Sequence, residues 1–314
     1  MPPDPSVVLV EGPWTHREVT ANGVRFHLAE HGPADGPLVL LLHGFPEFWW
    51  SWRHQLVALG EAGYRVVAPD LRGYGASDKP PRGYDGYTLS SDVAGMIRAL
   101  GADRAHLVGH DWGGVLAWTV ATLHPGIVRS LTAVAMPHPL RLGQALLHDR
   151  AQLRASSYIA FFQLPRLPEA RLVRHDGAYV EQLLQRWAAP GFPDAETASR
   201  CREALQIPGV AHSALEWYRW SVRSLTRPSG VRFQRLLERG VTAPVLALHG
   251  ARDRCQLLAT AEGSAAWVHA AYRLQVLEDA GHFPHQERPE VVTAALLEHL
   301  ADVAGVGGAG NARA

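Results

Sequence analysis

The pentapeptide GHDWG at residues 109–113 places one chemically active side chain between two glycines. Its spacing is that of the nucleophile elbow G-x-S-x-G, a tight turn from a strand into a helix that exposes its central residue. Here the central residue is Asp111 instead of serine. A carboxylate is already anionic at neutral pH and can form an ester by attacking a saturated carbon, with no base to activate it. The sequence therefore predicts that Asp111 is a nucleophile.

Two later residues have the types and the chain order needed to break such an ester. His282 follows the apolar run at residues 274–277, and Asp253 follows a similar run at residues 244–248. With an elbow of this kind the nucleophile comes first in the chain, then the acid, then the histidine. The acid orients the imidazole through its ring N–H. We predict Asp253 and His282 as the acid and the base, with the neighbouring His285 as an alternative base.

A third motif, HGFP at residues 43–46, directly follows the apolar run at residues 38–42. An oxyanion hole in this arrangement needs one backbone N–H from such a loop and a second from the residue after the nucleophile. A plain turn would account for Gly44 and Pro46, but not for His43 or for the position of the motif. We expect this loop to supply the first N–H.

The elements that must position these groups alternate along the chain. Two segments with alternating polarity, residues 16–19 and 24–28, are joined by Asn22-Gly23, which indicates a hairpin. Continuous apolar runs, each followed by a loop and a helical pattern, then favour the α/β class, with a mostly parallel sheet covered by helices on both faces. These runs are residues 38–42, 65–68, 106–108, 128–135, 244–248 and 274–277.

The alternation stops between residues 139 and 237, where the chain is aromatic, arginine-rich, helical in pattern and punctuated by prolines. We predict that residues 139–237 form a helical lid inserted into a core of residues 1–138 and 238–304. The aromatic side chains of this lid indicate an apolar substrate pocket. Residues 305–314, rich in Gly and Ala, are predicted to be a disordered tail.

Composition and charge weigh against several other classes of protein. A formal net charge of +0 gives no reason to expect nucleic acid or a membrane surface as a partner. Cys201 and Cys255 are too few for a disulfide framework. The start of the chain lacks the pattern of a secretory signal, and no apolar run reaches the roughly 18 residues of a membrane span. We expect a cytoplasmic protein with neither metal nor cofactor.

Taken together, the motifs resemble those of the epoxide hydrolases of the α/β-hydrolase superfamily. The segments that carry the resemblance are HGFPE at 43–47, WSWRHQ at 50–55, DLRGYGAS at 70–77, GHDWGG at 109–114 and GH at 281–282. The resemblance implies an α/β-hydrolase fold. It also implies hydrolysis of an epoxide to a vicinal diol through a covalent ester on the nucleophilic aspartate.

The resemblance assigns roles to further residues. It implies that Pro46 follows a cis peptide bond and that Phe45 and Trp112 supply the two oxyanion N–H groups. Members of the family carry two lid tyrosines that hydrogen-bond the epoxide oxygen, and Tyr158 and Tyr218 lie in matching segments. Phenol donors at these places would stabilise the charge that develops on the departing ring oxygen.

Two other functions stay open from the sequence. Haloalkane dehalogenases share the Asp, the His and the Trp after the nucleophile, but they need halide donors, and the Phe45 side chain has none. A non-catalytic ligand-binding protein of the same fold would ordinarily have lost part of the triad, which is complete here. The expected partners are a small apolar epoxide and water, and the choice between a monomer and a homodimer remains open.

Overall fold

The computed structural model describes residues 2–310, with side chains up to residue 305. Its strands are β1 Thr15–Ala21, β2 Val24–His31, β3 Leu38–Leu42, β4 Arg65–Pro69, β5 Ala105–His110, β6 Val128–Val134, β7 Val245–Gly250 and β8 Tyr272–Leu277. Across these described residues they form one eight-stranded sheet in the order β1-β2-β4-β3-β5-β6-β7-β8. Every predicted run corresponds to a strand.

From β3 onward, helices lie in the connection between each strand and the next one in the chain, and further helices follow the last strand. They are α1 Arg53–Glu61, α2 Gly86–Ala99, α3 Trp112–Leu123, α4 Pro139–His148, α5 Arg150–Ala155, α6 Tyr158–Phe162, α7 Leu167–Trp187, α8 Ala195–Gln206, α9 Val210–Arg223, α10 Pro228–Leu237, α11 Leu258–Ala261, α12 Pro284–Glu287 and α13 Pro289–Gly310. The backbone of α7 leaves helical geometry at residues 174–177. Within the described part of the chain, no helix has the length and apolarity needed to span a bilayer.

The sheet is mixed at one edge and parallel elsewhere. β1 pairs antiparallel with β2, which pairs antiparallel with β4, and the remaining pairs out to β8 are parallel. β3, β5 and β7 are buried along their whole length, as strands covered on both faces must be. Around them α1 packs against α13, and α2 packs against α3. The chain therefore has the α/β architecture that the alternation of elements predicts.

The predicted hairpin at Asn22-Gly23 is confirmed. Asn22 and Gly23 have φ of 49° and 73°, and Ala21 pairs with Val24 across them. Two left-handed residues in a two-residue loop mark the type I′ turn, whose twist matches that of the flanking strands. Asn and Gly adopt this region at little cost, which is why the local sequence suffices to place the turn.

The chain between β6 and β7 contains helices and no strand among its described residues. These helices run from α4, which begins at Pro139, to α10, which ends at Leu237. Within the group α9 contacts α6, α7 and α8, while α10 contacts α3 and α4 contacts α11. The helical stretch is therefore packed both internally and against the helices of the core.

The last helix enters the segment from residue 305 onward for which the sequence predicts a disordered tail, and that disorder stays a prediction. α13 continues through residues 305–310, while residues 311–314 lie outside the described residues. The helix is anchored by the buried side chains of Val292, Leu296 and Leu300. Residues 305–310 include four glycines, which are weak helix formers, so this last stretch owes little to its own composition.

Candidate active site

Asp111 lies in the turn between β5 and α3, where its backbone has φ 47° and ψ −118°. This is a strained conformation for a residue with a side chain. The neighbouring backbone packs tightly against this turn. A Cβ on Gly113 would lie 2.0 Å from the carbonyl oxygen of Leu42, and one on Gly44 would lie 2.4 Å from the Cβ of Asp111. Glycine is required at both positions, and the elbow motif predicts the one at Gly113.

The structure brings together the three residues expected to form the triad. Nδ1 of His282 lies 2.8 Å from Oδ2 of Asp253, and its Nε2 lies 3.5 Å from Oδ2 of Asp111. All three side chains are buried. The alternative base, His285, instead lies 3.4 Å from Oε1 of Glu47. The geometry therefore supports His282 as the base that Asp253 orients.

Burial and charge act in opposite directions on His282 and Asp111. At His282 burial lowers the pKa, but the carboxylate of Asp253, with further contributions from Cys255 and Asp111, raises the pKa well above its usual range. At Asp111 burial raises the pKa, whereas the hydrogen bond and the charge of His282 lower it, and the net pKa is lowered. The resting pair is therefore a carboxylate beside an imidazolium.

One oxygen of Asp111 is held by a backbone N–H. The N–H of Phe45 donates to Oδ1 of Asp111 at 2.9 Å. Trp112, the other residue expected to contribute an N–H, is the first residue of α3. The first N–H groups of a helix have no partner within the helix, so the N–H of Trp112, directly after Asp111, is free of intrahelical bonding.

The loop that carries Phe45 is shaped by His43, which is buried. Nε2 of His43 accepts from the N–H of Leu71 at 3.1 Å, so the ring proton is on Nδ1, which lies 2.9 Å from the carbonyl oxygen of Gly44. Burial lowers the pKa of His43, in keeping with a neutral ring. The bond between Phe45 and Pro46 is cis, as the resemblance implied. His43 therefore acts on the loop and not directly on Asp111.

The two tyrosines that the resemblance singled out come from different helices and lie close together. Tyr158 begins α6, Tyr218 lies in α9, and their ring centroids are 5.9 Å apart. Burial raises the pKa of both phenols well above 10, and the charge of Asp111 raises it further. Both hydroxyls therefore keep their protons. The hydroxyl of Tyr218 has no hydrogen-bond partner among the described residues, whereas that of Tyr158 lies 3.4 Å from Sγ of Cys255.

Aromatic side chains enclose these polar groups. The ring of Phe45 lies 5.6 Å from that of Phe162 and 5.4 Å from that of Tyr218. Trp187 lies 4.9 Å from Tyr158 and 5.7 Å from His282, measured between ring centroids. A site walled in this way has a low local dielectric, which strengthens every hydrogen bond and charge within it.

Sequence reasoning missed a second buried polar cluster behind His282. Oε2 of Glu47 lies 2.7 Å from Nδ1 of His110, whose Nε2 lies 2.7 Å from the carbonyl oxygen of His282. Gln286 donates to Oε1 of Glu47 at 2.6 Å. Two signals for this cluster were present in the sequence, because Glu47 ends the motif HGFPE and His110 directly precedes the nucleophile.

Glu47 and His110 of this cluster, together with His285, form the group of described residues whose donor atoms could hold a metal ion. The donor atoms of Glu47, His110 and His285 lie within 4.8 Å of one another. Burial raises the pKa of Glu47, but the nearby rings of His110 and His285 bring the pKa well below its usual range. Since the carboxylate and the carbonyl oxygen of His282 only accept, His110 donates from both ring nitrogens. Glu47 and His110 thus already form a buried ion pair.

Comparison with known proteins agrees with this geometry. The model of the α/β hydrolase fold family matches residues 37–289. Epoxide hydrolase 4 of Mus musculus is 34% identical over 304 residues, which cover 95% of this chain and 81% of that protein. The crystal structure of epoxide hydrolase A from Mycobacterium thermoresistibile has a TM-score of 0.80 at 32% identity, over 92% of this chain and 98% of the other.

A second structural relative was solved with a ligand. This mutant epoxide hydrolase from Bacillus megaterium, complexed with its product (R)-3-[1]naphthyloxy-propane-1,2-diol, has a TM-score of 0.80 at 28% identity, over 91% of this chain and all of the other. The fold, the elbow and these relatives lead to one identification. The chain belongs to the epoxide hydrolases of the α/β hydrolase fold family.

Proposed function

We propose that this protein hydrolyses an apolar epoxide to a vicinal diol through an ester on Asp111. The observation that carries the proposal is the unequal setting of the two carboxylate oxygens. Oδ1 accepts from the N–H of Phe45 at 2.9 Å, while Oδ2 faces Nε2 of His282 at 3.5 Å. Oδ1 is thus placed to become the ester carbonyl oxygen, and Oδ2 is the oxygen that attacks.

In the first step Oδ2 of Asp111 attacks a ring carbon of the epoxide and the bond from that carbon to the ring oxygen breaks. The ring oxygen takes a proton from the hydroxyl of Tyr158 or Tyr218. The imidazolium of His282 then gives that tyrosine a new proton. Two phenols held neutral by burial can both donate to an oxygen placed between them. His282 is left neutral and the product is an alkyl ester.

In the second step water attacks the Cγ of the ester. His282, now neutral, takes the proton of the water, and the N–H groups of Phe45 and Trp112 hold the negative charge on Oδ1. The bond from Cγ to Oδ2 then breaks and Oδ2 takes up the second proton of the water, so the diol leaves with an oxygen that came from Asp111, and the carboxylate of Asp111 and the imidazolium of His282 are restored. Esterification also removes the negative charge that helped raise the pKa of His282, and a lower pKa suits a base.

The tyrosine pair and Phe45 favour an epoxide over a haloalkane. Halide release calls for N–H or amide donors around the leaving atom, and the side chain of Phe45 packs between Phe162 and Tyr218 without offering one. A departing alkoxide needs a proton in addition to a hydrogen bond, and a phenol supplies it. We therefore expect no halide release from haloalkanes assayed beside epoxides.

The experiment that tests the proposal traps the ester. In His282→Gln the first step can proceed while the second lacks its base, so one substrate mass should remain on the peptide that contains Asp111 in intact-mass and peptide spectrometry. The matched control is His285→Gln, at the neighbouring buried histidine that does not face Asp111, and it should accumulate no ester. A stable adduct on another residue, or none at all, would contradict the two-step route.

A single turnover in ¹⁸O-labelled water gives an independent check. Because the bond to Oδ2 breaks in the second step, the label should enter Asp111 and the first diol formed should carry none. Label in the diol would mean that water attacks the epoxide directly, with Asp111 as a base.

The substrate class, the compartment and the division of the chain are part of the same proposal. We take residues 139–237 as the lid that shapes the pocket and residues 1–138 and 238–304 as the core. The aromatic walls and the naphthyl ether diol held by the Bacillus megaterium relative support aryl glycidyl ethers and styrene oxide as first substrates to assay. The protein would act in the cytoplasm, and sedimentation would decide between a monomer and a homodimer.

A further inference from the structure

Cys255 contacts the hydroxyl of Tyr158, a partner that Tyr218 lacks. Its Sγ lies 3.4 Å from the hydroxyl oxygen, and either group can be the donor. Both side chains are buried, Cys255 with 0% and Tyr158 with 7% of its surface exposed. Burial raises the pKa of the Cys255 thiol, so the contact joins a neutral thiol to a neutral phenol. The sequence alone gives no role to Cys255.

The loop that carries Cys255 is held by the acid of the triad. Oδ1 of Asp253 accepts from the backbone N–H groups of Cys255 and Gln256 at 2.7 and 2.9 Å. The other oxygen, Oδ2, lies 2.8 Å from Nδ1 of His282. One carboxylate therefore fixes both the imidazole and the backbone from which the thiol projects.

The helical stretch fixes the same loop from the other side. Gln152 in α5, whose side chain is fully buried, donates to the carbonyl oxygen of Cys255 at 2.9 Å. Its Oε1 accepts from the N–H of Leu257 at 2.9 Å and from the hydroxyl of Thr260 at 3.0 Å. Since α5 is followed closely by α6, which begins at Tyr158, the thiol and the phenol are set by one connected group of hydrogen bonds.

A thiol suits this place because it hydrogen-bonds weakly. The phenol needs a partner that limits its rotation before substrate binds, yet the partner must yield when an epoxide oxygen arrives. Sulfur is both a weak acceptor and a weak donor, so the hydroxyl can leave it for an oxygen that carries developing negative charge, where hydrogen bonds are stronger.

We propose that Cys255 is a positioning residue for ring opening: it holds the hydroxyl of Tyr158 in the direction of the epoxide oxygen. Asp253 orients His282 for the second step. Because Asp253 also holds the loop that carries Cys255, it helps to position Tyr158 for the first step. The inference rests on the proposed function, in which Tyr158 donates to the ring oxygen.

The test is a double-mutant cycle on the rate of ester formation, measured by rapid quench with enzyme in excess of styrene oxide. Cys255→Val should slow ester formation by about threefold to tenfold, the size that one weak hydrogen bond corresponds to. In the Tyr158→Phe background, where Tyr218 still donates, Cys255→Val should cause no further slowing, because the two residues act through one contact. The rate of ester hydrolysis should change by less than about twofold in every variant.

Controls separate positioning from a general effect on packing. Cys201→Val alters the other buried cysteine, which lies in α8, and should leave ester formation unchanged. Cys255→Ala serves if Cys255→Val does not fold, with the same expected slowing. Full-rate ester formation in a folded Cys255 variant, or equal slowing with and without the Tyr158 hydroxyl, would overturn the inference. Failure of the wild type to form any ester would instead overturn the proposed function.

Discussion

At the scale of single residues, Asp111 and His282 show how few charges set the protonation of a buried site. Both side chains are almost completely buried, and burial by itself would neutralise each of them. Asp111 keeps its charge because His282 is close by, at 3.5 Å between Oδ2 and Nε2, and His282 keeps its charge chiefly because of Asp253, with a further contribution from Asp111. A change in the charge of one residue must therefore change the pKa of the other.

Asp111→Asn is accordingly expected to lower the pKa of His282. The substitution removes one of the two carboxylates that raise this pKa, while burial, which lowers it, stays the same. The titration of the His282 ring can be followed by NMR. Asp279→Asn, the same substitution at an exposed aspartate, should leave the titration unchanged, and an unchanged pKa in Asp111→Asn would refute the pairing.

At the scale of elements, the buried Glu47 network ties together three segments that end near the site. Glu47 belongs to the loop after β3, His110 ends β5, and Gln286 lies in α12 after β8. Their hydrogen bonds of 2.6 and 2.7 Å also reach the backbone of His282 through Nε2 of His110. The network therefore sets the relative positions of the strand ends that present Asp111 and His282.

Glu47→Ala should lower the free energy of unfolding by about 3–5 kcal/mol, since it leaves His110 buried without its counter-charge. Urea denaturation of the wild type and the variant measures the difference. Glu47→Gln, which keeps a hydrogen-bonding group of the same shape, should be less damaging. An alanine at the exposed Glu238 serves as the control and should change stability by less than about 0.5 kcal/mol.

At the scale of the whole molecule, several histidines outside the triad are buried as neutral rings. Burial lowers the pKa of His106 to about 4 and that of His138 to about 3, and it lowers that of His285 to about 4 despite the nearby charge of Glu47. The unfolded chain, where these rings titrate near 6.5, then binds more protons than the folded chain at acid pH. His282, with its raised pKa, contributes in the opposite sense, because its stabilisation is lost as pH rises through the folded pKa.

The free energy of unfolding should therefore decrease as pH falls from about 6.5 to about 4, where the buried rings stay neutral only in the folded state. His138→Asn should make this decline less steep, since it removes a titrating ring. Asn also keeps an acceptor for the N–H of Leu140, which Nδ1 of His138 caps at 3.3 Å. Denaturation at several pH values measures the slope, and the same slope in both proteins would show that His138 does not contribute.

The sequence by itself determined those features whose physical cause is local. The turn at Asn22-Gly23 needs two residues that accept positive φ, and the elbow needs glycine where backbones approach within van der Waals distance. The buried strands could be located because strands covered on both faces are apolar along their length. Chain order, together with the position of each residue directly after a predicted strand, was enough to select Asp253 and His282 as candidate partners for Asp111.

Only the tertiary structure decided which distant side chains meet. The contact of Tyr158 with Cys255 and that of Glu47 with His110 join segments 97 and 63 residues apart, and no local pattern specifies such distances. These contacts depend on how the helices pack and how the strands pair, and the packing of the whole core determines both. For the same reason composition alone does not locate α13, because Val292, Leu296 and Leu300 are buried where this helix packs against α1 and β6.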